Sequence, residues 1–150
     1  GKREIMEMIS PSGSVYQAGT LSGNPVAMAA GLTQLKILQG NPEIYTRLFQ
    51  KGEKLFEGMK ELLQRYEAGC TMNYIGSLGC IFFTDRPVEN YSDAKTADTA
   101  RFAEYFAYML NHGIHLAPSQ FEAIFVSDAH TDETTEETLE VLKNYLESKK

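Results

Sequence analysis

Apolar and polar positions along this chain repeat with two different periods. From residue 43 to about Gly69, Ile44, Leu48, Leu55, Met59, Leu62 and Tyr66 recur at steps of three, four or seven. That is one face of a long amphipathic helix, started by Asn41-Pro42. Gly52 and Gly58 interrupt it, each at a cost of about 1 kcal/mol against Ala. Thr71–Ile75 and Leu78–Thr84 read as two strands split by a turn at Gly76. Residues 85–93 read as a polar surface loop. Phe102, Tyr105, Phe106 and Met109 mark the inner stripe of a further helix, stopped by Gly113. Short strands are predicted at Ile114–Ala117 and Phe121–Ser127, either side of Pro118-Ser119-Gln120. A last helix begins at Thr131 or Asp132, with Leu139, Leu142 and Leu146 inside and acids in its first turn, which suits the helix dipole.

Ahead of this unit, Ile5, Met8 and Ile9 share one face of a short helix broken by Pro11-Ser12-Gly13. Asn24-Pro25 starts another helix, with Asn24 as N-cap and Pro25 preset for the first position. Its residues, Val26–Leu38, are apolar nearly all round, so it is expected to be buried, with Gly40 closing it in the left-handed conformation. Adjacent strand pairs separated by helices predict an α+β fold: a small, mostly antiparallel sheet of about four strands with helices on one side.

Composition narrows the choice of function. With 150 residues and 43% hydrophobic positions, the chain can bury a core of its own. A net charge of −6 disfavours nucleic acid and anionic membrane as partners. No stretch has the layout of a signal peptide or the length of a spanning helix. Two cysteines, Cys70 and Cys80, without a CxxC spacing predict reduced thiols. His112, His115 and His130 lack metal-type spacing, so no metal site is expected. Glu122, inside SQFEAIF, is either an edge residue pointing to water or an acid aimed into a site. In VYQAGTLSGNP, residues 15–25, Gly19 and Gly23 let backbone approach a ligand closely. Thr20 offers a hydroxyl and an N–H, and the helix that follows offers free N–H groups. This loop is either a plain turn before a helix or a cradle for a phosphate.

The wording VYQAGTLSGNPVAMAAGL, with KREIMEMI before it, closely resembles the glutamate-1-semialdehyde 2,1-aminomutase family. The resemblance continues through IFFTD (81–85), YFAYMLNHGIHLAPSQFEAIF (105–125) and SDAHT (127–131). This family lies in the class III aminotransferase branch of the fold-type I pyridoxal-phosphate enzymes. The resemblance implies a cytoplasmic homodimer that uses pyridoxal 5'-phosphate to isomerise glutamate 1-semialdehyde to 5-aminolevulinate, for porphyrin biosynthesis. It assigns Gly19 and Thr20 to the phosphate of a cofactor held mainly by the neighbouring subunit. It places Tyr16 near the active site and turns Glu122 towards the substrate region.

The same resemblance sets the Schiff-base lysine and most cofactor ligands upstream of Gly1, so no catalytic residue is expected in this chain; Lys2 falls in the wrong segment. Residues 1–23 then represent the tail end of the large domain, 24–40 a connecting helix and 41–150 the small C-terminal domain. Residues 1–22, deprived of partners, are expected to be mobile or repacked. Two other readings stay open. An ordinary class III aminotransferase typically carries His where Gln17 stands and an arginine in the late strand region, whereas residues 113–131 hold none. A non-catalytic dimerisation domain is the other.

Overall fold

The computed structural model describes residues 1–150, which form two compact units, Gly1–Pro42 and Glu43–Lys150. Each is described by itself.

The first unit holds α1 (Arg3–Met6) and α2 (Pro25–Gly40). Between them Ile9 and Val15 form an isolated bridge, with Val15 N–H donating to Met8 O at 3.0 Å. The start of α2 is set locally, as its sequence predicts. The Asn24 side chain accepts from Val26 N–H and Ala27 N–H at 3.0 and 3.1 Å, and Pro25 fills the first helical position. Two expectations fail here. No residue of α2 is buried, and Gly40 ends the helix without a positive φ. Capping needs only neighbours in sequence, whereas burial needs a facing surface, and Val26, Leu32 and Leu35 stay more than half exposed.

The second unit holds α3 (Glu43–Arg65), β1 (Thr71–Ile75), β2 (Leu78–Phe82), α4 (Tyr91–Ala94), α5 (Thr99–Asn111), β3 (Ile124–Phe125) and α6 (Asp132–Glu147). β1 and β2 form an antiparallel hairpin in the register Thr71↔Phe82 to Ile75↔Leu78, turned at Gly76 with φ +54°. β3 adds antiparallel to β2, with Leu78↔Phe125 and Gly79↔Ile124. The sheet therefore has three strands in the order β1-β2-β3, not about four. Residues 114–117 join no ladder. Glu122 N–H donates back to Ser119 O at 3.1 Å, so a turn consumes residues predicted to be strand and leaves β3 only two long. The predicted loop at 85–93 also contains the start of α4, capped by Asn90.

Helices α3, α5 and α6 cover one face of this sheet. Phe56, Met59, Tyr105, Met109 and Leu142 are fully buried there and share one apolar cluster with Ile81 and Phe83. Phe82, next in the strand and so on the other side, packs in a smaller cluster with Val88, Ala94 and Ala97. Helix ends are closed by side chains: Asp98 caps α5, and Thr131 and Thr134 form a reciprocal capping box on α6. No helix is long and apolar enough to cross a membrane.

Gly52 has a tertiary role that its helix setting hides. A methyl group at this position would collide with the carbonyl oxygen of Gly76, in the β1–β2 turn. Gly79 is similar: a Cβ there would lie 2.5 Å from the Phe56 ring. These two glycines let α3 sit directly against the hairpin. Helix propensity favours Gly52→Ala by about 1 kcal/mol. The structure reverses that sign, because backbone oxygen cannot rotate away. Gly52→Ala is expected to destabilise the second unit by about 1–3 kcal/mol in urea unfolding.

Candidate functional site

In the first unit the predicted loop is a compact turn. Ser22 N–H donates to Gly19 O at 3.0 Å and Asn24 N–H to Leu21 O at 3.1 Å. A Cβ on Gly19 would strike the Ser22 hydroxyl, and Gly23 adopts φ +76°. The backbone at Gly23 therefore favours glycine by conformation, whereas a side chain at Gly19 would need the Ser22 hydroxyl to turn aside. One part of the anion-cradle argument changes. The N–H groups of Val26 and Ala27 are already taken by Asn24, so the first turn of α2 has fewer free donors than its sequence suggests. The Thr20 N–H and hydroxyl take part in no hydrogen bond. The Leu21 and Gly23 N–H groups and the Ser22 hydroxyl are likewise unpaired as donors, so Thr20 is one of several free donors on this turn. Tyr16 is 80% exposed, three residues before Gly19.

In the second unit Glu122 sits on the turn that follows Pro118, not on a strand, and its side chain is exposed. The turn is held from several sides. The Cys80 thiol on β2 donates to Gln120 O at 3.2 Å, and Phe121 N–H donates to the Ser119 hydroxyl at 3.2 Å. The Phe121 ring lies 5.9 Å from Tyr91, which Lys95 covers at 5.0 Å. Glu122 borders a cleft of about 450 Å³ between residues 114–117 and β3. Its walls are mainly apolar, and His115, His130 and Thr138 add polar groups.

A clamp that no local pattern in the sequence announces lies beside this cleft. Arg47 on α3 makes two bonds to the Asp128 carboxylate, at 3.0 and 2.7 Å, and Lys51 one turn on donates to the Asp128 carbonyl. This pins the segment that carries His130, whose Nδ1 accepts from Ser127 N–H at 3.0 Å. The signal was present as two cations four residues apart on α3, which face one side. Their acidic partner lies 77 to 81 positions away, beyond the reach of any local pattern. Cys70 and Cys80 are both free and half-buried, and burial pushes each thiol up to about 11, so neither is a nucleophile at neutral pH.

The structure brings Gly19 and Thr20 together in one turn of the first unit and puts Glu122 on a turn of the second. Against known proteins, the sequence model of the class-III aminotransferase family matches residues 1–146. The chain belongs to this family. It is 55% identical over 97% of its length to glutamate-1-semialdehyde 2,1-aminomutase 2 of Lachnoclostridium phytofermentans, and 56% identical to the aminomutase of Ruminiclostridium cellulolyticum. It spans about a third of the length of the curated relatives it matches, 34% in each of these two. Among solved structures it is similar to a β-phenylalanine aminotransferase from Variovorax paradoxus, with TM-score 0.76 and 25% identity over 99% of this chain and 34% of that one. A glutamate-1-semialdehyde aminomutase from Pseudomonas aeruginosa shares the fold, with TM-score 0.72 over 96% of this chain and 32% of that one.

The Arg47 guanidinium and, after it, Lys51 hold the Asp128 carboxyl down at about 2. A depressed folded-state value stabilises the fold above the unfolded value near 3.8, and this contribution is lost as pH falls towards 2. Asp128→Asn is expected to flatten the pH dependence of unfolding between about pH 4 and pH 2. Equal slopes for the two proteins over this range in urea titrations would refute the clamp.

Proposed function

We propose that the chain is the C-terminal portion of a pyridoxal-phosphate-dependent aminomutase that converts glutamate 1-semialdehyde to 5-aminolevulinate, the route into porphyrin biosynthesis. The observation that carries this is the identity of 55% over 97% of the chain to a relative bearing that name. At such identity over such length, both the fold and the local wording of each loop are shared. In this reading residues 1–23 end the large domain, 24–40 connect, and 41–150 form the small domain. The exposed apolar face of α2 is covered by the portion of the protein outside this chain. The enzyme is a homodimer in the cytoplasm.

When bound, the cofactor supplies an electron sink that lets nitrogen leave one carbon and join the next. This chain contributes recognition and placement. The Thr20 hydroxyl and N–H donate to the cofactor phosphate, and Gly19 keeps the turn open enough for that approach. The cofactor is held chiefly by the other subunit, so this loop completes a site across the dimer interface. Glu122 presents a carboxylate to the substrate region, on a turn anchored by Cys80 and by the Phe121–Tyr91 contact. By its resemblance to the family, Tyr16 lies near the active site. The lysine that carries the cofactor lies upstream, and this chain supplies no catalytic residue of its own.

Two measurements test this. The full-length enzyme is expected to turn over glutamate 1-semialdehyde with no keto-acid acceptor present. An absolute need for an acceptor would assign it to the ordinary class III aminotransferases instead. In the same enzyme, Thr20→Val is expected to weaken retention of pyridoxal phosphate about tenfold, as for loss of a hydrogen bond to a charged group. Unchanged cofactor affinity, read by absorbance titration after dialysis, would remove Thr20 from the site.

A further inference from the structure

The second unit contains a buried polar group that its packing leaves without a partner. Tyr105 is completely buried in the main core, and its hydroxyl makes no hydrogen bond within the protein. Such a group costs about 1–3 kcal/mol if it stays unpaired. Tyr105 also lines a small void of about 10 Å³ between α5 and the Glu122 turn. This volume is about that of one water. A void of that size holds a water only where polar groups surround it, since an apolar one stays dry.

Other polar groups border the same space. Leu116 and Ala117 line the void, and their peptide groups take part in no backbone hydrogen bond. Glu122 and Cys80 line it as well. Cys80 is the residue whose thiol holds the turn through Gln120 O. The Gln120 side chain, 2% exposed, also lacks any partner. The underside of this turn therefore has more donors and acceptors than protein partners for them.

We infer that the void binds one internal water, which joins the Tyr105 hydroxyl to the peptide groups of residues 116–117 and so anchors the turn that carries Glu122. Tyr105 is then a positioning residue: it touches no substrate, but it sets how firmly the Glu122 turn is held. The geometry of the core carries this inference, and only the meaning of Glu122 depends on the proposed function.

Tyr105→Phe in the 150-residue chain is the test, because it deletes one hydroxyl and keeps the ring packing. With a bound water, the variant loses a satisfied bond. Its thermal midpoint is expected to fall by about 3 °C, and amide exchange at residues 119–123 to rise several-fold while β1 and β2 keep their protection. A midpoint that is unchanged or higher would overturn the inference, since removing a truly unpaired hydroxyl stabilises a core. A crystal structure is expected to show a water within about 3 Å of the Tyr105 oxygen, and its absence would also overturn it. A water present with exchange at 119–123 unchanged would overturn the anchoring. None of these readouts requires turnover, so a failure here is separate from a failure of the aminomutase assignment.

Discussion

The second unit depends on how closely α3 approaches the β1–β2 hairpin. Two glycines permit it: Gly52, seated against the Gly76 carbonyl, and Gly79, under the Phe56 ring. That approach lets Phe56 and Met59 reach the centre of the core, where they meet Tyr105, Met109 and Leu142 from the other two helices. A helix held one side chain further out would leave voids that close packing does not tolerate. Tyr105 occupies the middle of this arrangement, with the rings of Phe83, Phe102 and Tyr145 at 5.5 to 6.1 Å.

The cleft side of the unit is built outward from that core. Helix α3 presents Arg47 and Lys51 to Asp128 and so fixes the segment bearing His130. Strand β2 presents Cys80 to the turn bearing Glu122. The cleft between residues 114–117 and β3 is thus bordered by polar groups that different elements hold in place. Glu122 stands on an irregular turn, and rigid neighbours supply its position. In the first unit the same division holds on a smaller scale. Asn24 uses its side chain to cap α2, while the Thr20 hydroxyl and N–H stay unpaired.

Much of this was legible in the residues. The stripe from Ile44 to Tyr66 and the stripe from Phe102 to Met109 have the helical period, and each lies on a helix that buries part of it, Leu55 and Met59 in one and Phe102, Tyr105 and Met109 in the other. The hairpin at Gly76 and the caps at Asn24 and Thr131 follow from local chemistry that any chain with those residues would share. The resemblance in VYQAGTLSGNP and SQFEAIF pointed to Gly19, Thr20, Tyr16 and Glu122. It did so through shared wording, since a glycine-threonine turn has the same spacing whether it cradles an anion or only precedes a helix.

Local pattern could not settle what depends on distant partners. Residues 114–117 have strand composition but find no ladder, because the Ser119 turn takes up the residues that would have paired. Helix α2 has the composition of a buried helix and is exposed, because hydrophobicity states a need for a partner without supplying one. Gly52 reads as a weak point of α3 and is instead the point of contact with the hairpin. The chain by itself determined helix periods, turns and caps, all governed by atoms a few residues apart. The tertiary structure alone decided which glycine must stay bare, which cations meet Asp128, and where a buried hydroxyl lacks a partner. Those outcomes depend on contacts between residues tens of positions apart, and only packing brings such residues together.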